Sequence, residues 1–475
     1  MFGTGPCPLL GWRSRSYVSD CEVHPHGNMT PAPSLVRQPL RLAGRVVSDP
    51  GLLRSTAIVF LGDASARMLG FLFSVAAARL LTPAGYGQIA YALAAVGIVT
   101  VLTNNAPSGM GRFLARHQDE PHKQKVYATN WLTIISLMLA SSLVLVIPVG
   151  IWAGLGGAML IALMANLLGT AVFQTYREAQ KGLGRFWITG GYYVFANLIQ
   201  LGAILLLGTL GWRSPALFLI IYGLAPIAAL AVIYPLAPAA LDFSRALVVW
   251  RQARAIARYT WPIILQGIFY NVWYGADLIL IHRLLHHPAI GNYAAAKTFN
   301  MMLLTVMAAF NYALGPRMVR LADSALRGYI VNVSALSLAL ILPIAGGLAL
   351  FGRPLIGLIF GSRYELAADV FMVMVCGQAI FAYCGVLQAI WGWGLSRPAI
   401  DSISSGTAMV VTLVTGLVLI PHLGLIGAAW AYGAGATAQL AVLVSFTVSR
   451  IYIGAKPRLA AVRDLILELD SAASA

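Results

Sequence analysis

RLLTPAGYG occupies residues 79–87, and RLLHHPAIG occupies residues 283–291. A shift of 204 residues puts Arg79 on Arg283, Leu80–Leu81 on Leu284–Leu285, Gly87 on Gly291 and Ala90 on Ala294. The same shift puts Gly111 on Gly315 and Arg116 on Arg320. Locally the phrase ends a helix, because Pro83 with Gly85, and Pro288 with Gly291, cannot continue one cheaply. An arginine at such an end faces the carbonyl pole of the helix dipole or snorkels to headgroups. Arg79 and Arg283 therefore read first as structural residues.

Both copies are embedded in apolar sequence. The chain has 475 residues, 59% hydrophobic and only 10% charged, against roughly 25% charged in a soluble domain. Apolar stretches of about 20 residues, the length that crosses a hydrocarbon core, recur along most of it. Short alternating segments of the kind that build a barrel do not dominate. The expected fold is an all-α polytopic membrane protein. Twelve spans are expected near 55–80, 86–110, 127–150, 154–176, 187–210, 215–237, 257–285, 289–315, 328–351, 366–391, 398–420 and 425–449.

The divisions follow. Residues 1–51, rich in Pro, Gly, Ser and Arg and without an apolar signal-peptide core, read as a disordered basic cytoplasmic tail, or as an extension ahead of a start near Met29. Residues 52–237 form an N-terminal six-helix bundle, 238–256 a cytoplasmic linker, 257–450 a C-terminal six-helix bundle and 451–475 a cytoplasmic tail. Cys7, Cys21, Cys376 and Cys384 show no metal-ligand spacing and read as structural.

Basic residues set the orientation. With the N-terminus in the cytoplasm, 25 of the 32 lysines and arginines fall in cytoplasmic segments. The outer loops hold Arg79, Arg213, Arg283, Arg353 and Arg363, while Arg67 and Lys297 lie within spans. Both termini are then cytoplasmic. The net charge of +16 is mainly this topology signal, satisfied by anionic membrane lipids, and nucleic acid is not needed to explain it. The repeat shift covers six spans, so the two bundles run in the same sense around a central cavity, a standard transporter design.

The stretch RLLTPAGYGQIAYALAAVG with the later SGMGRFLAR, and YGADLILIHRLLHHPAIGNYAAA around Asp277, Leu284, Leu285, Pro288, Gly291 and Tyr293, resembles the bacterial polysaccharide flippases (Wzx-type transporters). These belong to the multidrug/oligosaccharidyl-lipid/polysaccharide exporter superfamily. The resemblance covers about residues 52–450; related lipid II flippases usually carry additional helices. It implies that the chain turns a glycan unit on a polyprenyl diphosphate from the cytoplasmic to the periplasmic leaflet of the bacterial inner membrane. Exopolysaccharide, O-antigen or capsule synthesis would be served, with a polysaccharide polymerase and a chain-length regulator as partners. The family's cavity tends to be cationic, as an anionic diphosphate requires.

Charges within spans are costly and therefore informative. Asp63 and Arg67, four residues apart in the first span, share a face and can pair. Asp277 and Lys297 flank the repeated turn at similar depth and can also pair. One reading is mutual neutralisation. The other has Arg67 and Lys297 attract diphosphate, Arg as a fork of donors and Lys as a compact charge, with the acids tuning them and Asp277 coupling transport to an ion gradient. Gln266, Tyr270 and Trp273 share a helix face beside Asn271 and are candidate sugar contacts. Asn104, Asn105, Gln174, Tyr176, Asn300 and Asn311 are weaker candidates. Gln378, Cys384 and Gln388 read as helix contacts. Arg112, Arg116, Arg177, Lys181 and Arg185 are already explained by topology. No cofactor is expected; without a phosphate-cradling Gly-rich loop, energy would come from the membrane potential or a proton or sodium gradient. The alternatives are a multidrug or small-molecule exporter, which needs acids in its cavity, and a membrane glycosyltransferase or ligase, which needs a sizeable acidic outer loop.

Overall fold

A computed structural model of the chain describes residues 50–117, 119–239, 243–285, 287–318, 323–394 and 398–453. The expectations for the N-terminal tail to residue 49, for Cys7 and Cys21, and for residues 454–475 lie outside them. Helices α1 Pro50–Leu80, α2 Pro83–Ala95, α3 Gly97–Asn105, α4 Met110–Arg116, α5 Pro121–Trp152, α6 Gly157–Gly182, α7 Phe186–Thr209 and α8 Pro215–Ile233 make up the first part. The second part is α9 Trp250–Leu284, α10 His287–Met318, α11 Asp323–Phe360, α12 Glu365–Ala389 and α13 Pro398–Ile453. Proline opens α2, α5 and α8, where its missing N–H has no intrahelical partner to lose. Thr82 completes the first repeat turn by accepting the Gly85 amide at 3.2 Å, a side-chain N-cap.

Each expected span falls on a helix or a helix pair. Nine described helices are long and apolar enough to cross a membrane, and the α2–α3 pair makes a tenth. Helix α10, with 32 residues, is long enough for another. Helix α13 has 56 residues and holds two spans, because Gly424 at φ 58°, ψ −135° breaks it, a conformation that only glycine adopts cheaply. Leucines such as Leu350, Leu358 and Leu236 stand largely exposed. Apolar surface on that scale belongs against lipid, and the protein is a multi-pass membrane protein.

Two features go beyond the expected spans. The second span is not one straight helix: α2 and α3 meet at 61°, with Val96 at φ −92°, ψ 0° between them. Gly97 at the start of α3 lies beside the Asn271 amide of α9, 3.7 Å from where a Cβ would stand, so the bend seats α9 against this span. Several helices also overrun their expected ends. The 35 residues of α9 reach about 52 Å at 1.5 Å per residue, well beyond a hydrocarbon core of about 30 Å.

Within the first six spans α1 packs on α7, and α8 packs on α6 and α7; in the second six α9 and α12 pack on α13, and α10 and α11 on α12. Glycines bring the backbones together. A Cβ on Gly169 of α6 would lie 1.6 Å from the Gly223 carbonyl of α8, and one on Gly377 of α12 would lie 2.8 Å from Gly433 in α13. The fourth and sixth spans of each half therefore meet through small residues, as lipid-embedded helices commonly do.

The repeated phrases meet each other. A Cβ on Gly87 would stand 2.8 Å from the Gly291 nitrogen, and one on Gly291 only 1.9 Å from the Pro83 carbonyl. Arg79 crosses to the end of α11, donating to the Leu358 carbonyl and, at 2.7 Å, to the Ile359 carbonyl. Arg283 crosses to the end of α5, donating to the Trp152 carbonyl at 2.9 Å with its guanidinium 4.7 Å from the Trp152 ring. The last carbonyls of a helix lack intrahelical donors. Each repeat arginine supplies one to the third span of the opposite half, rather than to its own helix end.

If this glycine seam sets the approach of the halves, Gly291→Ala should lower the melting temperature of the purified protein by several degrees, an overpacking cost of about 1–3 kcal/mol. Gly346→Ala, where a Cβ meets nothing within 4 Å, should leave it unchanged in the same thermal scan.

Candidate functional site

Among the described residues two clusters of intramembrane charge stand apart, one in each half. In the first, α1 carries Asp63, which is 6% exposed. Its short bond goes to Arg177 of α6, whose Nη2 lies 2.7 Å from Oδ1. The Arg67 guanidinium reaches only to 3.7 Å from the other oxygen. The expected helical pair is therefore secondary, and the missing partner is an arginine that topology alone had explained. The Arg177 guanidinium also lies 5.1 Å from the Phe173 ring and 4.6 Å from the Tyr193 ring, a setting that favours a delocalised cation.

The charge balance separates the roles of the two arginines. Among the described residues one carboxylate faces two guanidinia, so the cluster keeps one positive charge in excess. The Arg177 side chain is 11% exposed and that of Arg67 34%, so the excess sits on Arg67. Here it can exchange a long contact with Asp63 for a shorter one with an incoming anion.

The second cluster is closed. Lys297 of α10 donates to both oxygens of Asp277 on α9, at 2.8 and 2.7 Å, and to the Tyr274 carbonyl. The Tyr293 hydroxyl donates to Asp277 at 2.7 Å, and the ammonium lies 3.9 Å from the Tyr274 ring centre. Asp277 is 1% and Lys297 5% exposed. An ammonium has three donors, and all three are taken. The expected pair is present, but Lys297 offers no donor to an anion in this conformation.

The polar stripe of α9 divides. Trp273 is fully buried, stacked on Tyr432 at 5.5 Å and edge-on to Phe381 at 4.7 Å, inside the second half rather than along a cleft. Tyr270 is half-buried and stacks on Tyr274 and Phe381. Gln266 is half-buried, and Asn271 donates to the Gly267 carbonyl while facing Gly97. Asn105 donates to the Ile263 carbonyl of α9 at 3.2 Å. Tyr176 is committed to the Ala237 carbonyl, Lys181 to Glu178 and Arg185 to the Pro238 carbonyl. Asn300 is buried with neither amide group hydrogen-bonded among the described residues, and the same holds for Asn104 Oδ1. Gln174 is half-buried; the side chains of Asn311 and Arg112 lie outside the described set. Asp401, on the first turn of α13, is an additional acid; its Oδ1 is buried without a described partner, at an end of the bundle where a helix N-terminus favours negative charge.

Because breaking a buried pair strands a charge, Lys297→Met should cost about 3–5 kcal/mol, whereas removing both charges with Asp277→Asn/Lys297→Met should recover most of that loss. Thermal unfolding of the three proteins in one detergent checks it.

Residues 76–369 match the family described as polysaccharide biosynthesis protein. A probable low-salt glycan biosynthesis flippase, Agl15 of Haloferax volcanii, is 22% identical over 386 residues, covering 80% of this chain and 79% of that protein. Among solved structures, the lipid II flippase MurJ in an inward closed conformation is similar with a TM-score of 0.65 at 11% identity, covering 88% of this chain and 97% of its own. An inward-facing multidrug resistance transporter of the MATE family, in the MOP superfamily, gives 0.66 at 13% identity over 84% and 98%. At these identities the likeness establishes a shared fold.

Proposed function

This chain belongs to the polysaccharide biosynthesis protein family, and we propose that it flips a polyprenyl diphosphate-linked glycan across the bacterial inner membrane by alternating access. The observation that carries this reading is the positive excess at Asp63, Arg67 and Arg177, with Arg67 the accessible member. A diphosphate is the part of such a cargo least able to enter hydrocarbon alone, and a guanidinium fork matches phosphate geometry. The relative in Haloferax volcanii, described as a glycan biosynthesis flippase, supports the same class of cargo.

In this mechanism the headgroup enters from the cytoplasmic leaflet and meets Arg67, which turns from Asp63 to the phosphate. Arg177 keeps Asp63 neutralised meanwhile, so no carboxylate is left bare. The glycan occupies the wet space between the halves, and the lipid tail stays in the bilayer. Residues 52–237 and 257–450 rock as the two units, with both termini in the cytoplasm. No bond of the cargo is made or broken. The Asp277–Lys297 pair keeps the second half rigid, and a proton or sodium gradient or the membrane potential supplies the energy. A polymerase acting on the delivered units and a chain-length regulator are the partners this role calls for.

A multidrug exporter of the same fold is the competing reading. It needs negative charge facing the cargo, whereas the first cluster has a surplus of the opposite sign. In proteoliposomes, wild type should move a fluorescent polyprenyl diphosphate oligosaccharide between leaflets, and Arg67→Ala should slow it at least about tenfold, the loss of one charged hydrogen bond, with the melting temperature unchanged. Flipping at the wild-type rate in Arg67→Ala, or efflux of a lipophilic cation in place of glycan-lipid movement, would remove this reading.

A further inference from the structure

We propose that Arg79 and Arg283 are a matched pair of gate residues. Each holds the repeat-bearing end of the protein shut by capping a helix of the opposite half, and both must release for that end to open. The inference goes beyond the cargo assignment; it presumes that the halves move relative to each other and nothing about what they carry.

Reciprocity is the first argument. Arg79 lies in the last turn of α1 and reaches carbonyls 279 and 280 residues away in sequence. Arg283, its repeat counterpart in α9, reaches a carbonyl 131 residues back. A cation that served only its own helix dipole would not need to cross the molecule, and two doing so in mirrored fashion tie α1 to α11 and α9 to α5.

The kind of bond is the second. Both arginines are exposed, and their acceptors are neutral carbonyls. Such bonds are charge-assisted and directional, yet water can replace both partners when they part, so release strands no buried charge. The seam beside them brings the backbones of Gly87 and Gly291 together, with Ile290 as the adjoining side chain. Neighbouring cross-links are hydrogen bonds and ring contacts: Tyr86 to Thr298 at 2.8 Å, the Tyr364 hydroxyl to the Ala78 carbonyl at 2.9 Å, Tyr86 edge-on to Tyr364 at 6.4 Å and Tyr91 stacked on the His282 ring at 3.6 Å.

The third argument is contrast. The two buried ion pairs lie within a half: Asp63–Arg177 in the first, Asp277–Lys297 in the second. Separation at the repeat-bearing end therefore spares both of these ion pairs and breaks the arginine caps, the hydrogen bonds and the ring contacts beside them.

The test uses the full chain in lipid nanodiscs, with Cys7, Cys21 and Cys376 replaced by Ser and spin labels on Gly156→Cys and Ser362→Cys. These are exposed positions just beyond α5 and α11, and electron double resonance reads the distance between them without any cargo. Wild type should show mainly the short distance. Arg79→Gln and Arg283→Gln should each enlarge a longer population, and the double variant should raise the long-to-short ratio at least about tenfold. Arg→Lys at both sites, which keeps a charged donor, should restore most of the short distance. Gly87→Ala, which wedges the seam instead of cutting the caps, should shift the ratio the same way. A wild-type distribution in the double Gln variant would overturn the proposal, as would a Lys pair as open as the Gln pair.

Discussion

A charge placed in hydrocarbon must be neutralised nearby or reach water, and this constraint organises the interior of the protein. The second half meets it completely: one ammonium, one carboxylate, a tyrosine hydroxyl and a backbone carbonyl close on one another with no donor of Lys297 left over. The first half meets it with a remainder. Two arginines converge on one aspartate, and the more exposed of them holds the surplus. The same chemistry thus yields a structural element in one half and a binding candidate in the other.

Rigidity and movement are divided along similar lines. Inside each half, glycine pairs bring backbones into contact and the ion pairs lock neighbouring helices. Between the halves, the repeat-bearing end relies on a glycine seam, exposed arginine caps, neutral hydrogen bonds and ring contacts such as Tyr91 on His282 and Tyr86 on Tyr364. Buried ion pairs kept inside the units, and contacts that strand no buried charge between them, suit rigid-body motion of the kind transporters use.

Much of the fold was legible because a membrane imposes length, apolarity and charge asymmetry on every span. The twelve expected segments fall on the described helices for that reason, and the Asp277–Lys297 pair followed from equal depth beside a known turn. What eluded the sequence was tertiary. Arg177 sits in YREAQKG, close to Lys181 and Arg185, so its charge looked like one more cytoplasmic topology signal; the aromatic Phe173 one turn earlier was the available hint. The periodicity that grouped Trp273 with Gln266 was sound, but a helix packed on several sides has no single exposed face, and Trp273 fell on Tyr432. The 61° bend of the second span left no proline to mark it. The mirrored reach of Arg79 and Arg283 needed two halves in place before it existed at all.

The account stands on the sign of the charge available in the first half, and binding measures that sign directly. Affinity of the purified protein for a polyprenyl diphosphate should exceed that for the matching uncharged polyprenol by at least about tenfold, or 1.4 kcal/mol. That preference should vanish in Arg67→Gln. Equal affinity for the two lipids, or a preference that survives the loss of Arg67, would contradict it.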